Sequence, residues 1–229
     1  MAHIGIVPAR GGSKRLPGKN IKMCAGKPLL AWTAHVARAS RLERVILSTD
    51  DNAIAEVGRN CGLEIPFLRP PELAADETPM LPVIAHLLEW LTRTSGEPSS
   101  IVLLQPTSPL RLPRHIDEAI ELLEKSGAET VVSVTDAEAD SKPAKLMRQA
   151  DDGSVVRAEA SAEGRLVLRN GPAILANVPA VIRNARLYGD RCLGYYMAPA
   201  DSIDIDNDVD FQRAENLILS RQQGGGIRD

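Results

Sequence analysis

Short runs of valine, isoleucine and leucine alternate with longer amphipathic stretches along most of this chain. The apolar runs have the length of buried strands, whereas the stretches between them repeat apolar residues at helical spacing. Such alternation is typical of βαβ units, in which helices pack on both faces of a mostly parallel sheet. The pattern therefore predicts an α/β fold with a Rossmann-like, mostly parallel sheet.

The alternation also predicts where the individual elements lie. Asp50-Asp51-Asn52 is a suitable helix start because such side chains can cap the first turn, and Pro113 is another because its φ is already helical. We predict strands at residues 4–8, 44–48, 64–68, 100–104, 129–134 and 192–197. We predict helices at residues 28–39, 51–61, 80–94, 113–126 and 208–222.

The domain organisation follows from length and from one change of pattern. A chain of 229 residues is expected to form a single domain with a sizeable core. Between residues 136 and 169 polar, charged and small residues replace the valine and leucine runs, so we predict a short insertion over about residues 136–176. The tail at residues 222–229 lacks apolar anchors and is expected to fray.

Charge and composition argue against several classes of partner. A formal net charge of −3 and a pI near 5.9 do not favour nucleic acid, which needs a basic face. No run approaches the roughly 18 apolar residues of a membrane span, and the first residues do not form a signal peptide. Cys24, Cys61 and Cys192 are odd in number and far apart, which fits reduced thiols. We therefore predict a cytoplasmic protein that binds neither nucleic acid nor membrane.

The segment from residue 8 to residue 20 combines four positive charges with three glycines after the first predicted strand. Open α/β sheets bind ligands at this place, outside the carboxyl ends of their strands. Glycine lets backbone N–H groups approach a phosphate, and Arg10, Lys14 and Lys19 can neutralise a triphosphate. The segment has neither the Walker P-loop spacing nor the dinucleotide fingerprint. Its composition predicts a phosphate site, with a solvated basic turn as the alternative.

Five motifs in a fixed order make this prediction more specific. They are Val7-Pro8-Ala9-Arg10-Gly11-Gly12-Ser13-Lys14 with Pro17, Lys19 and Asn20; Ser48-Thr49-Asp50; Arg69-Pro70-Pro71-Glu72-Leu73-Ala74; Gln105-Pro106-Thr107-Ser108-Pro109-Leu110-Arg111; and Ser202-Ile203-Asp204-Ile205-Asp206. They cover nearly the whole chain. In sequence and order they resemble the motifs of the acylneuraminate cytidylyltransferases, the CMP-sialic acid synthetase family.

The resemblance implies a nucleotidyltransferase-like fold and transfer of CMP from CTP to an acidic acceptor, with release of pyrophosphate. Arg10, Lys14 and Lys19 would be the catalytic cations on the phosphates. Asn20 and Arg69 would lie near the nucleoside, although a solvated loop arginine is the alternative for Arg69. The other residues expected to bind nucleotide are Ala9, Gly11, Gly12 and Ser13.

Gln105 and Arg111 flank a turn that is stiffened by two prolines. Gln105 directly follows the strand predicted at residues 100–104, so its amide is expected over the ligand crevice, where it would orient the substrate. Arg111 has two possible roles on sequence alone. It adds a cation near the crevice, or it pairs with an acid on the surface.

The last motif alternates polar and apolar residues. In an extended segment both carboxylates then share one face, and the isoleucines anchor the other. Mg²⁺ prefers oxygen ligands and completes its shell with phosphate oxygens and water, so we predict that Asp204 and Asp206 bind Mg²⁺. The alternative is that Asp206 and Asp208 start the last helix.

The predicted insertion carries Lys142, Lys145 and Arg148 at three-residue spacing, which predicts one side of a helix after Pro143. An anionic acceptor is expected to dock there, with a solvated charged face as the alternative. The resemblance implies that this part of the chain contacts the acceptor and forms a homodimer interface. The residues that match the family's acceptor-binding landmarks are Lys145, Arg169 and Asn170.

The identity of the acceptor stays open because the chain departs from the family pattern here. No Arg-Arg-Gln run precedes Asn170, and the usual Ala-Ile-Tyr is replaced. We expect a nonulosonic, sialic-acid-like sugar acid, with a small phosphonate such as phosphonoformate as the alternative. A non-catalytic nucleotide-binding regulator would not need the paired aspartates. A metal-dependent glycosyltransferase would not need so many cations in the first loop.

Overall fold

The computed structural model describes residues 2–13, 15–138, 141–159, 163–171 and 173–223. Within these ranges the chain forms strands and α-helices joined by turns and short 3-10 segments. The strands are β1 (His3–Pro8), β2 (Met23–Cys24), β3 (Lys27–Pro28), β4 (Arg44–Ser48), β5 (Ser100–Leu103), β6 (Thr130–Asp136), β7 (Leu146–Gln149), β8 (Val155–Arg157), β9 (Arg165–Arg169), β10 (Leu175–Asn177) and β11 (Cys192–Tyr196). The helices are α1 (Leu29–Arg38), α2 (Asn52–Asn60), α3 (Met80–Thr94), α4 (Pro113–Ser126), α5 (Pro179–Arg183) and α6 (Asp208–Gln223).

Nine of the described strands form one mixed sheet. Its order is β4-β1-β5-β10-β6-β9-β7-β8, and β11 also pairs with β6. β1 is parallel to β4 and β5, whereas β10 lies between β5 and β6 and is antiparallel to both. The carboxyl ends of β1, β4 and β5 therefore meet at one edge of the sheet, where the loops that follow them converge.

Helices cover both faces of this sheet, and each face has its own apolar cluster. On one face α1, α2 and α4 pack through residues such as Leu30 and Ile120, and on the other α3 packs through Leu87. A third, smaller cluster joins Phe211 of α6 to Ile205. Because Ile205 lies between two candidate functional aspartates, the last helix supports this part of the candidate site directly.

The helix ends confirm the local signals in the sequence. The side chain of Asp51 caps α2 by accepting a hydrogen bond from the backbone N–H of Ile54 at 3.0 Å. Pro113 is the first residue of α4. Gly127 caps the carboxyl end of this helix and has a φ of 66°, in the left-handed region. No helix in the described ranges combines the length and the apolar character that spanning a bilayer requires.

The predicted α/β fold is confirmed, and all five predicted helices lie within two residues of their observed bounds. The strand predicted at residues 64–68 is wrong. Glu64 makes one parallel bridge to Ile46, and no strand continues from it. Pro66 follows two residues later and has no N–H to donate, so it cannot extend the ladder.

The helix predicted after Pro143 is also wrong. Residues Pro143–Lys145 form a single 3-10 turn, and the chain then enters β7, which is antiparallel to β8 and β9. Non-local strand pairing therefore overrides the three-residue spacing of the basic residues. The stretch predicted as an insertion adds β7, β8 and β9 to the sheet and places β10 at its centre.

Candidate active site

The loop after β1 is held against the loop after β4. The N–H of Ala9 donates to the carbonyl of Ser48 at 3.0 Å, and the N–H of Gly11 donates to Oδ1 of Asp50 at 3.1 Å. A Cβ atom at Gly11 would lie 2.6 Å from Oδ2 of Asp51, so this close approach requires glycine. The two loops therefore form a continuous rim at the carboxyl edge of the sheet.

Asn20 fixes the far end of the first loop. Its side chain is buried, and its Nδ2 donates to the carbonyl of Arg10 at 3.1 Å. The guanidinium of Arg10 forms an ion pair with Asp76, at 2.6 Å from Nη1 to Oδ1. Asn20 thus shapes the turn, while the charged end of Arg10 extends toward a different segment of the chain.

Arg69 is buried, at 5% exposure, and is not the solvated loop arginine that was the alternative. Its Nε donates to Oγ of Ser48 at 3.0 Å, and its Nη2 donates to the carbonyl of the same residue at 2.5 Å. Burial lowers the pKa of Arg69 to about 10, with Asp50 opposing this decrease and Arg10 adding to it. The guanidinium is still protonated at neutral pH and contributes a fixed positive charge.

These side chains line a cavity of about 270 Å³, which we call the loop cavity. Gln105 joins it from the end of β5, at the position that the sequence predicts. The polar and charged residues of its wall are three cations, Arg10, Lys19 and Arg69, one acid, Asp76, and the uncharged Ser13, Asn20, Thr78, Gln105 and Thr107. Such a wall suits a small, highly charged anionic ligand.

Lys19 lies between the loop cavity and the two aspartates, Asp204 and Asp206. Its Nζ donates to the carbonyl of Ile205 at 2.9 Å. Burial lowers the pKa of Lys19, and the nearby carboxylates of Asp204 and Asp206 oppose this decrease. Lys19 is therefore a partly buried cation that lies between the first loop and the two aspartates.

Asp204 and Asp206 each form an ion pair with a lysine from the predicted insertion. The distances from Nζ to Oδ2 are 2.7 Å for Lys145 and Asp204 and 2.6 Å for Lys142 and Asp206. Burial by itself raises the pKa of Asp206, but the hydrogen bond from Lys142 and the charges of Lys145, Lys142 and Lys19 lower it overall. Asp206 is therefore ionised at neutral pH.

The residues around this pair confirm the predicted alternation. Ile203 and Ile205 are buried in the cluster beneath α6, whereas both aspartates line a cavity. Asp208 is the first residue of α6, so the alternative is confirmed for Asp208, whereas Asp206 lies outside the helix and does not cap it. The cap is Asn207, whose Oδ1 accepts a hydrogen bond from the N–H of Asp210 at 3.0 Å. The alternative role for Asp206 is therefore wrong.

Within the described ranges no three His, Cys, Asp or Glu side chains converge as metal ligands. Mg²⁺ beside a polyphosphate typically takes one or two protein carboxylates, and phosphate oxygens and waters complete its shell. Asp204 and Asp206 offer carboxylate oxygens next to the cationic loop cavity. This donor set fits a hard divalent cation that is bound together with phosphate.

The two aspartates line a second cavity of about 320 Å³, which we call the aspartate cavity. Lys19, which lines the loop cavity, contacts the carbonyl of Ile205, the residue between the two aspartates. Lys142, Lys145 and Arg169 also line the aspartate cavity. The Nη1 of Arg169 donates to the hydroxyl of Tyr188, so its orientation is fixed by the protein.

Asn170 is buried at 2% exposure, and protein groups engage both ends of its amide. Its Oδ1 accepts from Oγ of Ser133 at 2.6 Å, and its Nδ2 donates to Oγ of Ser202 at 2.9 Å. Next to it, Gly171 has a φ of 120°, and a Cβ there would lie 3.7 Å from Cγ of Asp204. The two residues pack against the segment that carries the aspartates.

Arg111 has neither of the roles predicted for it. It is 1% exposed, and its guanidinium donates to the carbonyl of Ala173 and, at 3.0 Å, to Oγ1 of Thr33. Burial lowers the pKa of Arg111 to about 9. The residue ties the turn after Gln105 to the segment before β10, and this role depends on contacts that are distant in sequence.

Among the described residues that were predicted for the site, Ala9, Gly11, Gly12 and Arg148 line neither cavity. Arg148 lies on β7, where its Nη1 donates to the carbonyl of Gly164 at 3.0 Å. Lys14, predicted as a catalytic cation, lies outside the described residues. Gly12 is exposed on the first loop, with open space around its Cα.

Comparison with known proteins decides the family. The chain matches the family model described as Cytidylyltransferase over residues 4–217. The chain belongs to the cytidylyltransferase family. The predicted family resemblance is confirmed, and this cytidylyltransferase is a CTP-dependent nucleotidyltransferase.

Similar proteins cover nearly all of this cytidylyltransferase. It is 33% identical over 232 residues to CMP-N,N'-diacetyllegionaminic acid synthase of Legionella pneumophila, with 97% of this chain and 99% of that protein covered. It is 37% identical over 222 residues to N-acylneuraminate cytidylyltransferase of Escherichia coli, with 92% of this chain and 51% of that protein covered. The chain therefore spans about half the length of the second relative.

A solved structure supports the same fold. It is the structure of a CMP-2-keto-3-deoxy-manno-octonic acid synthetase complexed with CTP, and it matches with a TM-score of 0.76. The match covers 96% of this chain and 100% of that chain at 16% sequence identity. At that identity the likeness shows the fold alone.

Sequence reasoning missed two residues around the cytidylyltransferase site. Asp76, which pairs with Arg10, lies in a polar stretch that gives no helical or strand signal. Ser133, which holds Asn170, interrupts the apolar strand β6. A polar side chain in a buried strand needs a hydrogen-bond partner, so the sequence already indicated that Ser133 binds another polar group.

Proposed function

We propose that this cytidylyltransferase transfers CMP from CTP to a nonulosonic sugar acid and releases pyrophosphate. The observation that carries the proposal is the 2.9 Å hydrogen bond from Lys19 to the carbonyl of Ile205. It joins a cationic cavity to a pair of carboxylates, the two groups that a triphosphate with a divalent cation requires. Similarity along the whole length of the Legionella synthase supports a sugar-acid acceptor.

The triphosphate would lie in the loop cavity. Arg10 and Lys19 would neutralise it, joined by Lys14, because a negative nucleophile is otherwise repelled by the phosphate charge. Asn20 and Arg69 would hold the wall beside the nucleoside. The backbone N–H of Gly12 would approach the phosphates. The N–H groups of Ala9, Gly11 and Ser13 would instead hold the nucleotide-binding loop in shape, because they donate to Ser48, Asp50 and Gly11.

Asp204 and Asp206 would hold Mg²⁺ beside Lys19, whose ammonium contacts the carbonyl of Ile205 between them. When bound, the ion would supply charge neutralisation for the phosphates and for the pyrophosphate that leaves. The two carboxylates are kept in place by the buried isoleucines of the same segment. Their role is therefore to bind and orient.

The acceptor would occupy the aspartate cavity. Lys145 and Arg169 line it and carry the positive charge that a carboxylate needs, and Asn170 shapes its wall. Gln105 would orient the substrate from the loop cavity. A hydroxyl oxygen of the acceptor would attack the α-phosphorus of CTP. The new P–O bond would form as the bond to pyrophosphate breaks in line with it, and the hydroxyl proton would pass to water or to a carboxylate of the aspartate cavity.

We expect pyrophosphate release in the presence of CTP and Mg²⁺ when a nonulosonic acid such as N,N'-diacetyllegionaminic acid or N-acetylneuraminic acid is added. The assay compares these acids with phosphonoformate and with a reaction that contains no acceptor. Formation of the CMP conjugate is confirmed by mass spectrometry. If phosphonoformate is the acceptor and both sugar acids are inert, the proposed acceptor class is wrong.

We expect CTP to raise the melting temperature of the protein more than ATP or GTP does at the same concentration. A ligand that binds only the folded state at 100 times its Kd stabilises it by about 2.7 kcal/mol, equivalent to about 5 to 10 °C for a chain of this size. Differential scanning fluorimetry measures the shift. Equal shifts with all three nucleotides would show that the base is not distinguished.

A homodimer is also part of the proposal. Apolar side chains are exposed on β8, β9 and β11, with exposures of 55% for Val156, 37% for Leu166 and 44% for Tyr196. A second copy of the chain would cover them. That the protein binds no nucleic acid stays a prediction from its net charge.

A further inference from the structure

The segment at residues 199–206, here the carboxylate segment, carries both proposed metal ligands but contains no strand of the sheet. Its regular structure is limited to the 3-10 turn Pro199–Asp201. Its later half is held by Lys19 at the carbonyl of Ile205, and by the N–H of Ile205, which donates to the carbonyl of Thr107 at 2.9 Å. Its earlier half must be positioned by other groups.

Asn170 holds this earlier half at Ser202, and Nε2 of His115 lies 3.6 Å from Oδ2 of Asp201. Arg221, near the end of α6, contacts both Ala200 and Asp201. Its Nη2 donates to the carbonyl of Ala200 at 2.9 Å and to Oδ1 of Asp201 at 2.6 Å. Its Nη1 donates to the carbonyl of Leu110 at 3.2 Å. Leu110 belongs to the turn that starts at Gln105. One guanidinium therefore binds both the carboxylate segment and the turn that carries a predicted substrate contact.

Burial and the packing of α6 hold the contacts of Arg221 in one geometry. The side chain of Arg221 is 23% exposed and that of Asp201 is 11% exposed, so water screens their ion pair less than it screens a surface pair. Arginine presents its donors in a planar fork, which holds several acceptors in one geometry. α6 is anchored by Phe211 and Ile218 in the cluster that also contains Ile205.

We propose that Arg221 is a positioning residue of the transfer reaction, which sets the carboxylate segment against the Gln105 turn and so places Asp204 and Asp206. This inference rests on the proposed function, in which those carboxylates bind Mg²⁺. Arg221 lines neither the loop cavity nor the aspartate cavity and acts through the backbone carbonyls of Ala200 and Leu110.

The test compares Arg221→Met, which keeps the aliphatic part of the side chain, with Arg221→Lys. For Arg221→Met we expect kcat to fall about ten-fold or more, because small displacements of a reacting group are costly. The Mg²⁺ concentration for half-maximal activity should rise several-fold, while KM for CTP stays within about two-fold. Arg221→Lys should recover part of the loss because it keeps the charge and one donor to the segment.

A second readout does not depend on catalysis. Electron paramagnetic resonance of free Mn²⁺, with CTP present and acceptor absent, should show weaker metal binding to Arg221→Met than to the wild type. If Arg221→Met does not fold, Arg221→Gln tests the same contacts, because it removes the charge and the planar fork but keeps a polar end. Weaker Mn²⁺ binding by Arg221→Gln then supports the proposal, and unchanged binding contradicts it.

Two controls separate positioning from stability. Arg183→Met removes an exposed arginine that pairs with Glu97 at 2.8 Å on another part of the surface. Leu91→Ala lowers stability through the core, far along the chain from both segments. If Arg221→Met lowers the melting temperature as Leu91→Ala does but leaves kcat, the Mg²⁺ requirement and Mn²⁺ binding at wild-type values, the positioning role is wrong. If the wild type transfers CMP to none of the acids, the proposed function is wrong. The comparison of Mn²⁺ binding between Arg221→Met and the wild type then still tests the role of Arg221.

Discussion

Replacing Lys19 with methionine should lower the rate of CMP transfer by about two to three orders of magnitude at saturating CTP, the usual cost of losing one donor that stabilises developing charge. The ammonium of Lys19 is partly buried between the loop cavity and the two aspartates, and methionine keeps the length of the side chain without its charge. The measurement is the initial rate of pyrophosphate release.

The matched control for this variant is Lys22→Met. Lys22 lies three residues further on and pairs with Asp208 at 2.9 Å, so it tests the loss of a lysine that lines neither cavity. Its turnover should be close to that of the wild type. Lys19→Met also loses the hydrogen bond to Ile205, so its melting temperature must be measured beside its activity. Wild-type turnover in Lys19→Met would rule out the phosphate role.

Replacing Asp204 or Asp206 with asparagine should raise the Mg²⁺ concentration for half-maximal activity about ten-fold or more, because an amide keeps the shape but lacks the charge that holds a hard cation. CTP binding should change much less, since the first loop supplies the cations for the phosphates. Mg²⁺ titrations of pyrophosphate release and calorimetric titration with CTP separate the two effects.

Asp208→Asn is the matched control for the aspartate variants. Asp208 is exposed and pairs with Lys22, whereas Asn207 caps α6, so this change should leave the Mg²⁺ requirement as it is. An Asp208→Asn effect as large as that of Asp204→Asn would contradict the paired metal site. So would full activity in excess EDTA. Ile205→Val should cost only about 0.5–1.5 kcal/mol of stability, the usual range for this buried change.

Local patterns were sufficient for most of the sheet and its helices. Residues 44–48 and 80–94 have the composition and periodicity of a buried strand and an amphipathic helix, and both elements form with those bounds. The pattern failed where pairing is set by distant residues. β10 is a short strand that lies between β5 and β6, and both of these strands are far from it in sequence.

For the candidate site too, local patterns predicted some residues correctly and failed for residues whose partners are distant in sequence. Motif order predicted the first loop, the paired aspartates and the position of Gln105. The structure places Arg10, Lys19 and Gln105 on the loop cavity and both aspartates on the aspartate cavity. Arg111 was misjudged because an arginine in a polar turn normally remains in water. Only the folded chain shows that its fork meets the carbonyl of Ala173 inside the core.

The sequence by itself determined the α/β class, the cationic loop after β1 and the alternation that places two carboxylates on one face. Each of these depends on residues that are close together in the chain, so periodicity and turn composition are enough to read them. Tertiary structure decided which groups meet: Lys19 with Ile205, Lys145 with Asp204, and Arg221 with both Leu110 and Asp201. These partners are brought together only when helices and loops pack on the completed sheet, because their positions depend on the whole core.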